Sequence, residues 1–350
     1  MRLAIYEWDA WHQFMLVRMV PEAIRLPAHI GEDAKRVLDR LPLGIDALAF
    51  HLNLTRTSAV PVDRDDLLHA AAERGIVVLN GAVTDISKKA VQAQCRAYGL
   101  PSAEALREGD PTEQLFVKTD LNFGGRAERK LGADHDPLDN APRTSEVVSD
   151  WDGYHIRRRD AIPLAWWDDR ALVIERFIDN GLDHLYRVNF AGDHAVILRL
   201  TNPHPMKKIY SSVARLDIYC DLCALAEGTV SGVEPAVGAA IARYLACSGM
   251  DFGALEVIPD DAGNAYILDV NSTCYAAVLN VWILNFLRRG LSDRIATRAA
   301  ALGRAAPTVG AGMLPTYRML RQEVRRLTTQ LTTQLTTRFD VPAVPRPREP

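Results

Sequence analysis

Apolar and polar positions along the first 81 residues alternate between the period of a strand and the period of a helix. The apolar runs RLAIY, ALAFHLNL and GIVVLNG predict strands, and DRDDLLHAAAERG predicts a helix that is capped by Asp63 and ends at Gly75. Strands that alternate with helices are typical of a small parallel α/β unit. The unit lacks the glycine fingerprint of dinucleotide-binding folds, which disfavours a Rossmann dehydrogenase.

Shorter elements follow in the middle of the chain. The pattern predicts a helix over 84–98, a strand over 115–118 and a polar, basic surface segment over 126–169. The runs ALVIERFI, LYRVNF and HAVILRL then predict three strands, and residues 216–247 have the pattern of a helix. The fold class expected for the whole chain is therefore mixed, with α/β organisation at the start and α+β organisation beyond it.

The stretch 250–274 predicts a β-hairpin in which LEVI and AYILDVN are joined by the turn PDDAGN. We expect Ile258 to pair with Ala265, which sets Glu256 opposite Ile267. Asp269 is then the diagonal neighbour of Glu256, about 7–8 Å away. The other face of this hairpin is expected to be wholly apolar and to consist of Leu255, Val257, Tyr266, Leu268 and Val270.

Two carboxylates at this spacing repel each other unless a cation lies between them. Together with the amide oxygen of Asn271 they form a hard oxygen donor set of the kind that Mg²⁺ prefers, and Mg²⁺ commonly arrives bound to substrate phosphates. A surface hairpin with scattered acidic residues explains the same pattern. The residues alone leave both interpretations open.

The C-terminal part of the chain predicts two helices and a tail. YAAVLNVWILNFLRRGL is a mainly apolar helix that closes the core, and a last helix contains the tandem LTTQ repeat with leucines four residues apart. Docking of this stripe on the body of the protein and a contact in a homodimer are both open. The segment VPAVPRPREP is rich in proline and is expected to be disordered.

Composition narrows the class of protein. The chain has 350 residues, 48% of them hydrophobic, and a formal net charge of -3, so it has ample material for a core and no charge excess that would attract nucleic acid. We interpret the arginines at 157–159 as a solvated face. Glu7 and Asp9 stand where a signal peptide needs its apolar centre, and AAVLNVWILNFL is too short for a membrane span, so we expect a cytoplasmic protein without membrane contact.

The five cysteines indicate reduced thiols. Their number is odd, and Cys220 and Cys223 form a single C-x-x-C pair with no second pair to complete a zinc site. We interpret these two as buried thiols of a helix.

Several basic residues are candidates for binding an anion. Lys88 and Lys89 fall in the first turn of a predicted helix, where the helix dipole disfavours cations unless an anion lies nearby. Lys118 ends a strand that leads into a loop containing Gly124 and Gly125, which suits a phosphate but also an ordinary hairpin turn. Arginines lie inside two predicted strands, Arg187 and Arg199, where each requires an ion pair or a cleft.

The order of these features resembles the ATP-grasp superfamily, and within it the carboxylate–amine ligases such as D-alanine–D-alanine ligase, glutathione synthetase and the ribosomal-protein glutamate ligases. The resemblance covers residues 75–275 and is carried by KKAVQAQCRAYGLP, FVKTDLNFGG, LVIERFID and the acidic hairpin. It implies an ATP-grasp fold with an N-terminal α/β domain. The expected domains are 1–84, 85–179, 180–312 with the metal site, and a C-terminal helix and tail over 313–350.

The resemblance also implies roles for individual residues. The nucleotide phosphates would be held by Lys88, Lys118, Gly124 and Gly125. The adenine would be read at Glu175, Arg176, Phe177 and Ile178, and the ribose would be bound by Asp183. The metal would be bound by Glu256, Asp269 and Asn271. The implied cofactors are ATP and one or two Mg²⁺ ions, with Mn²⁺ as an alternative.

The chain departs from the family pattern at two places. Many ligases carry an arginine two residues before the first metal acid, where this chain has Ala254. The basic residues that could stabilise the acyl phosphate instead are Arg187, Arg199, Lys207 and Lys208. The usual substrate loop is replaced by residues 272–275, which run into a helix, so the substrate site does not carry over.

The function that the resemblance implies is an ATP- and Mg²⁺-dependent ligase. It would join a small-molecule or peptide carboxylate to an amine through an acyl phosphate, releasing ADP and phosphate. Two alternatives remain open at this point: a kinase of the same fold that phosphorylates a hydroxyl, and a nucleotide-binding module without turnover. A fold does not by itself fix a reaction.

Overall fold

The computed structural model describes residues 1–57, 60, 63–131, 154–207, 212–220, 232–275 and 279–304. The predicted LTTQ helix, the proline-rich tail, Cys223 and Lys208 lie outside these ranges.

The N-terminal residues form a four-stranded parallel sheet. Its strands are β1 (Leu3–Trp8), β2 (Ile24–Pro27), β3 (Ala47–Leu52) and β4 (Val77–Leu79), in the order β2-β1-β3-β4, with helices α1 (Met15–Met19), α2 (Ala34–Asp39) and α3 (Arg64–Glu73). The predicted parallel α/β unit is confirmed. The pattern missed β2, α1 and α2 because four to six residues are too few to show a period. Asp63 is at the N-cap of α3, but its side chain makes no capping hydrogen bond.

A three-stranded antiparallel sheet follows. It contains β5 (Gln114–Thr119), β6 (Tyr154–Arg158) and β7 (Leu172–Arg176) in the order β6-β5-β7, accompanied by α4 (Lys88–Ala97) and α5 (Leu164–Trp167). Helix α4 begins at Lys88, four residues later than predicted. Its N-cap is Ser87, whose side chain accepts a hydrogen bond from the Ala90 N–H.

The basic run 157–159 lies at the exposed end of β6, where Arg157 and Arg158 are exposed and Arg159 is half-buried. Arg157 lies over the Trp166 ring at 5.1 Å, and Arg159 is ion-paired with Glu113. The prediction of a surface segment is confirmed for Arg157 and Arg158, which are exposed, whereas Tyr154, His155 and Ile156 of the same strand are half-buried. The pattern missed the strand itself, because its partner β5 is distant in sequence.

The third sheet has five antiparallel strands. These are β8 (His184–Ala191), β9 (His194–Thr201), β10 (Arg215–Cys220), β11 (Phe252–Pro259) and β12 (Ala265–Asn271), in the order β10-β9-β8-β11-β12. Helix α6 (Pro235–Ser248) lies between β10 and β11 in the chain, and α7 (Val281–Ala301) follows β12. The predicted helix over 216–247 is wrong at its start, because Leu216 and Ile218 alternate inward as a strand. The mixed class of fold, with parallel and antiparallel sheets, is confirmed.

The two faces of this sheet have different neighbours. Tyr186, Val188 and Ile197 pack beneath α4 and α6 on one face. On the other face, Val196 and Leu198 pack against α1 and α7, together with one face of the parallel sheet. Leu185 and Ile258 lie at the end of this second face, beyond the helices. That end of the sheet is therefore left to face the three-stranded sheet. No helix in the described ranges is both long and apolar enough to cross a membrane.

The predicted hairpin of β11 and β12 is confirmed, but its register is not. Ile258 pairs with Tyr266 rather than with Ala265, and a β-bulge between Glu256 and Val257 sets Glu256 directly opposite Asp269. Because the bulge inserts Leu268 as an extra residue, the faces change on β12. Ala265 and Ile267 belong to the core beneath α6, whereas Tyr266 and Leu268 face the other way.

Candidate active site

A cavity of about 160 Å³ lies between the three-stranded sheet and the β11–β12 end of the five-stranded sheet. Its walls are mainly apolar and include Phe116, Leu185, Ile258 and Leu268. The predicted adenine-reading segment 175–178 lines it, as do the predicted phosphate lysine Lys118 and the predicted catalytic residue Lys207. A mostly apolar cavity with a few polar groups has the chemistry of a small-molecule site.

Lys118 and Glu175 form a buried ion pair on the floor of this cavity. The Lys118 Nζ lies 2.7 Å from Glu175 Oε2, and each side chain is 2% exposed. The same ammonium donates to the Leu268 carbonyl oxygen at 3.0 Å, which ties β5 to β12. Burying two charges is costly even when they are paired. The pair is therefore more easily explained by a ligand that uses it than by stability.

The backbone of residues 176–178 is partly occupied by bonds within the fold. The Arg176 N–H donates to the Ala103 carbonyl at 2.7 Å, and the Phe177 N–H donates to the Gln114 carbonyl at 3.1 Å. The Arg176 guanidinium lies over the Tyr266 ring at 5.3 Å. The backbone N–H groups of Arg176 and Phe177 are therefore not available to an adenine ring.

Lys88 and the glycine turn meet beside β12. The Lys88 Nζ donates to Asn122 Oδ1 at 3.1 Å, and Asn122 Nδ2 donates to the Val270 carbonyl at 3.0 Å. Three successive residues, Phe123, Gly124 and Gly125, have φ values of 50°, 60° and 71°. A tight hairpin turn does not explain this loop, because the residues soon after it, Glu128–Leu131, form a 3-10 helix rather than a strand paired with β5. Successive residues in such conformations can direct backbone N–H groups at an anion.

Two charged side chains near Lys88, those of Lys89 and Asp120, bond to other groups of the protein. The sequence predicts that Lys89 is either solvated or near an anion. In the structure its ammonium lies 3.4 Å from the carbonyl oxygens of Asp169 and Arg170. Asp120 is fully buried and accepts hydrogen bonds from the Lys89 N–H and from Arg56. Burial raises the pKa of the Asp120 carboxyl, and the nearby positive groups oppose that shift.

The acidic pair of the hairpin lies beside an arginine. Glu256 and Asp269 face each other across β11 and β12, and the Arg187 Nη1 lies 3.5 Å from Glu256 Oε1. Asn271 Oδ1 accepts hydrogen bonds from the Thr273 N–H at 2.8 Å and from the Thr273 hydroxyl at 3.2 Å. Opposed carboxylates supply the hard oxygen donors that suit Mg²⁺. In the described ranges, no cluster of three or more His, Cys, Asp and Glu side chains accompanies them.

The two strand arginines lie on opposite faces of the five-stranded sheet. Arg187 is opposite Glu256 on β11, so the two share the face of the acidic pair. Arg199 is opposite Tyr186 and is ion-paired with Asp217 at 2.8 Å. The placement of Arg199, on the face away from the acidic pair and already ion-paired, does not support the prediction that it takes part in catalysis. Arg187, on the strand next to β11, is the positively charged side chain that lies beside Glu256.

Lys207 and Asp183 are paired with each other. Lys207 is 6% exposed, and its ammonium is ion-paired with Asp183, a residue with a φ of 56°. The carboxylate predicted to meet a ribose thus already binds a cation at the wall of the cavity. This pairing reduces the charge that Lys207 could offer to an acyl phosphate.

Sequence reasoning missed one polar residue at the centre of the site. Gln92 on α4 is 1% exposed and donates to both Glu175 and the Ile267 carbonyl. It follows Lys88 by one helical turn, on the buried side that also carries Val91 and Cys95. An amide on the apolar face of a helix is the signal that could have identified it.

No protein-family model and no curated protein matches the chain. Among solved structures, it is similar to the ATP-grasp ligase PsnB complexed with a phosphomimetic variant of a minimal precursor, Mg and ADP, with 15% identity, a TM-score of 0.44, and coverage of 86% of this chain and 98% of that one. A RimK domain ATP-grasp protein from Sphaerobacter thermophilus has 12% identity and a TM-score of 0.43 over 82% and 99% of the two chains.

A third similar structure is the RiPP-associated ATP-grasp ligase of Chryseobacterium gregarium in complex with ADP and a leader and core peptide. It has 9% identity and a TM-score of 0.44 over 85% of this chain and 97% of that one.

Proposed function

We propose that the chain is an ATP- and Mg²⁺-dependent ligase of the ATP-grasp type, which joins a carboxylate to an amine. The observation that supports this function is the convergence of three features on β12. Lys118 donates to the carbonyl before Asp269, Asn122 links Lys88 to the carbonyl after it, and Glu256 faces Asp269 from β11. Two lysines and two carboxylates at one edge form a site for a nucleotide phosphate with its metal.

Each part of the site has a role in this proposal. The apolar cavity would hold the adenine, while Lys118, Lys88 and the turn with Gly124 and Gly125 hold the phosphates. Glu256 and Asp269, with Asn271, would hold Mg²⁺, which when bound neutralises phosphate charge. The protein then positions the reactants and stabilises the charge on the transferring phosphoryl group.

The proposed reaction has two steps. An oxygen of the substrate carboxylate attacks the γ-phosphorus of ATP, so that an acyl phosphate forms and ADP leaves. The nitrogen of an amine then attacks the acyl carbon, and phosphate leaves as the amide forms and the amine loses a proton. The Arg187 guanidinium lies beside the acidic pair and would stabilise the negative charge of the acyl phosphate.

The three sheets support the division of the chain at residues 84 and 179, since the strands of each sheet lie within one of the ranges 1–84, 85–179 and 180–312. The parallel sheet would then be the N-terminal domain, and the other two sheets would enclose the nucleotide. We propose small-molecule or peptide carboxylates and amines as the substrates.

Thermal unfolding with ATP and Mg²⁺, added singly and together, tests the proposal. We expect a rise in melting temperature that needs both, because a ligand at about 100 times its Kd adds about 2.7 kcal/mol. Phosphate release with panels of acids and amines then tests the ligase reaction. Release of ADP without phosphate in the presence of a hydroxyl acceptor would identify a kinase instead, and no shift at saturating nucleotide would contradict the proposed site.

The two strand arginines provide a matched comparison. We expect Arg187→Lys to lower turnover by about 100-fold, because lysine cannot reproduce the guanidinium that stabilises developing charge. Arg199→Lys should leave turnover within about threefold, since it lies on the other face and a lysine can keep the ion pair with Asp217. Steady-state release of ADP measures both. Equal losses in the two variants would show that the assignment of Arg187 is wrong.

A further inference from the structure

Gln92 makes every hydrogen bond that its amide allows. Its Nε2 donates to Glu175 Oε1 at 3.2 Å and to the Ile267 carbonyl at 3.0 Å, and its Oε1 accepts from the Ala103 N–H at 2.8 Å and the Ser102 hydroxyl at 3.1 Å. The orientation of the amide is fixed by these partners, because the Ala103 N–H can only donate and the Ile267 carbonyl can only accept. A buried side chain this fully bonded is rigidly placed.

The bonds of Gln92 reach both halves of the nucleotide site. One carboxylate oxygen of Glu175 accepts from Gln92, and the other is ion-paired with Lys118. The orientation of the carboxylate, and with it the position of the Lys118 ammonium, therefore depends on Gln92. Removal of the amide would let Glu175 rotate within a site that is closed to water.

The second half is the bulge that precedes the acidic residue of β12. Gln92 holds the Ile267 carbonyl, and Lys118 holds the Leu268 carbonyl. Leu268 is the extra residue that sets Asp269 opposite Glu256. In a regular strand, two adjacent carbonyl groups point to opposite edges of the strand. Hydrogen bonds to both the Ile267 and the Leu268 carbonyl therefore stabilise the irregular backbone of the bulge. The register of the acidic pair thus depends on the same amide.

We propose that Gln92 is a positioning residue for the nucleotide site: through Glu175 it sets the Lys118 ammonium, and through the bulge it sets Asp269. This inference rests on the proposed function. It assigns no contact between Gln92 and the nucleotide, because the amide has no bonding capacity left. Its effect is expected in the affinity for nucleotide, transmitted by Glu175.

The Gln92→Glu variant tests this proposal with little change of shape. A glutamate keeps the two acceptor bonds to Ser102 and Ala103, but it sets a second carboxylate against Glu175. Adding Glu175→Gln to Gln92→Glu restores one amide and one carboxylate at positions 92 and 175. The amide that donates is then at position 175, and the carboxylate that accepts is at position 92. If Gln92 acts through Glu175, the second change rescues the first.

We expect Gln92→Glu to raise the Kd for ADP with Mg²⁺, measured by calorimetry, by at least about tenfold. The double variant should recover the part of that loss that Glu175 transmits, but not the part due to the Ile267 carbonyl, which faces a carboxylate in both variants. Gln94→Glu is the matched control, because Gln94 lies two residues along the same helix and accepts from the Tyr244 hydroxyl, a bond that glutamate keeps. Its Kd should stay within about twofold of wild type.

A neutral variant guards against a failure to fold. Gln92→Met removes all four bonds without adding charge, and its loss of affinity should not be rescued by Glu175→Gln. Absence of ADP binding by the wild-type protein would overturn the proposed function together with this inference. Binding by the wild type with an unchanged Kd in Gln92→Glu would overturn the role of Gln92 alone. A double variant as weak as the single one would overturn its action through Glu175.

Discussion

The Asp269→Asn variant is expected to lose Mg²⁺-dependent release of ADP by at least about 100-fold while it stays folded. Asparagine has the shape of aspartate, so the strand and its bulge can be kept. The variant removes one of two opposed negative charges, and Arg187 already lies 3.5 Å from the other. Glu256 and Arg187 then have no net charge between them, so a divalent cation loses its attraction to the site.

Steady-state ADP release over a range of Mg²⁺ concentrations measures the effect. The stabilisation by ATP with Mg²⁺ in thermal unfolding should disappear in parallel. Asp261→Asn is the control, because Asp261 is exposed in the turn of the same hairpin and its bond from the Gly181 N–H at 2.8 Å is one that asparagine can accept. If Asp269→Asn kept its activity within about threefold, the assignment of the metal site would have to be abandoned.

The acidic pair shows what the sequence could and could not predict. The hairpin and its two acids follow from the alternation of LEVI and AYILDVN and from the turn between them. The bulge at Leu268 does not, since an extra residue in one strand leaves the local pattern almost unchanged. What selects it is the partner of each carbonyl, namely Gln92 and Lys118, which lie more than 140 residues away in the chain.

The faces of the sheet on which Arg187 and Arg199 lie could be predicted from the sequence. Strands β8 and β9 are joined by Gly192 and Asp193 alone, with Ala191 paired to His194. A two-residue turn fixes the register, and counting back from it pairs Arg187 with Leu198 and Tyr186 with Arg199. The two arginines must then lie on opposite faces. The register alone therefore separates Arg199 from the face that carries Arg187 and Glu256.

The elements that local pattern mispredicted owe their structure to distant partners. Residues 215–220 form a strand because β9 offers them a free edge, and residues 154–158 do so along β5. Helix propensity and charge in these segments favour other conformations only weakly. Three strands of the parallel sheet, β1, β3 and β4, were predictable by contrast, because they are almost entirely buried and read as continuous apolar runs. The short strand β2, with one buried residue in four, was not.

The Lys118→Met variant is expected to be less stable and to bind nucleotide more weakly. Lys118 and Glu175 are each 2% exposed, so removal of the ammonium leaves a carboxylate buried without its cation. Breaking a buried ion pair in this way costs about 3–5 kcal/mol. Urea unfolding should show this loss, and calorimetry with ADP and Mg²⁺ should show a Kd raised by more than about tenfold, because the phosphate loses its cation.

The double variant Lys118→Met/Glu175→Gln separates these two effects. A neutral amide in place of the lone carboxylate removes the uncompensated charge, so most of the lost stability should return. The affinity for ADP should not return, since neither methionine nor glutamine supplies a positive charge to the phosphate. Recovery of both properties together would mean that Lys118 serves only to neutralise Glu175. Recovery of stability alone would show that the chain maintains a costly buried pair because the ammonium binds phosphate.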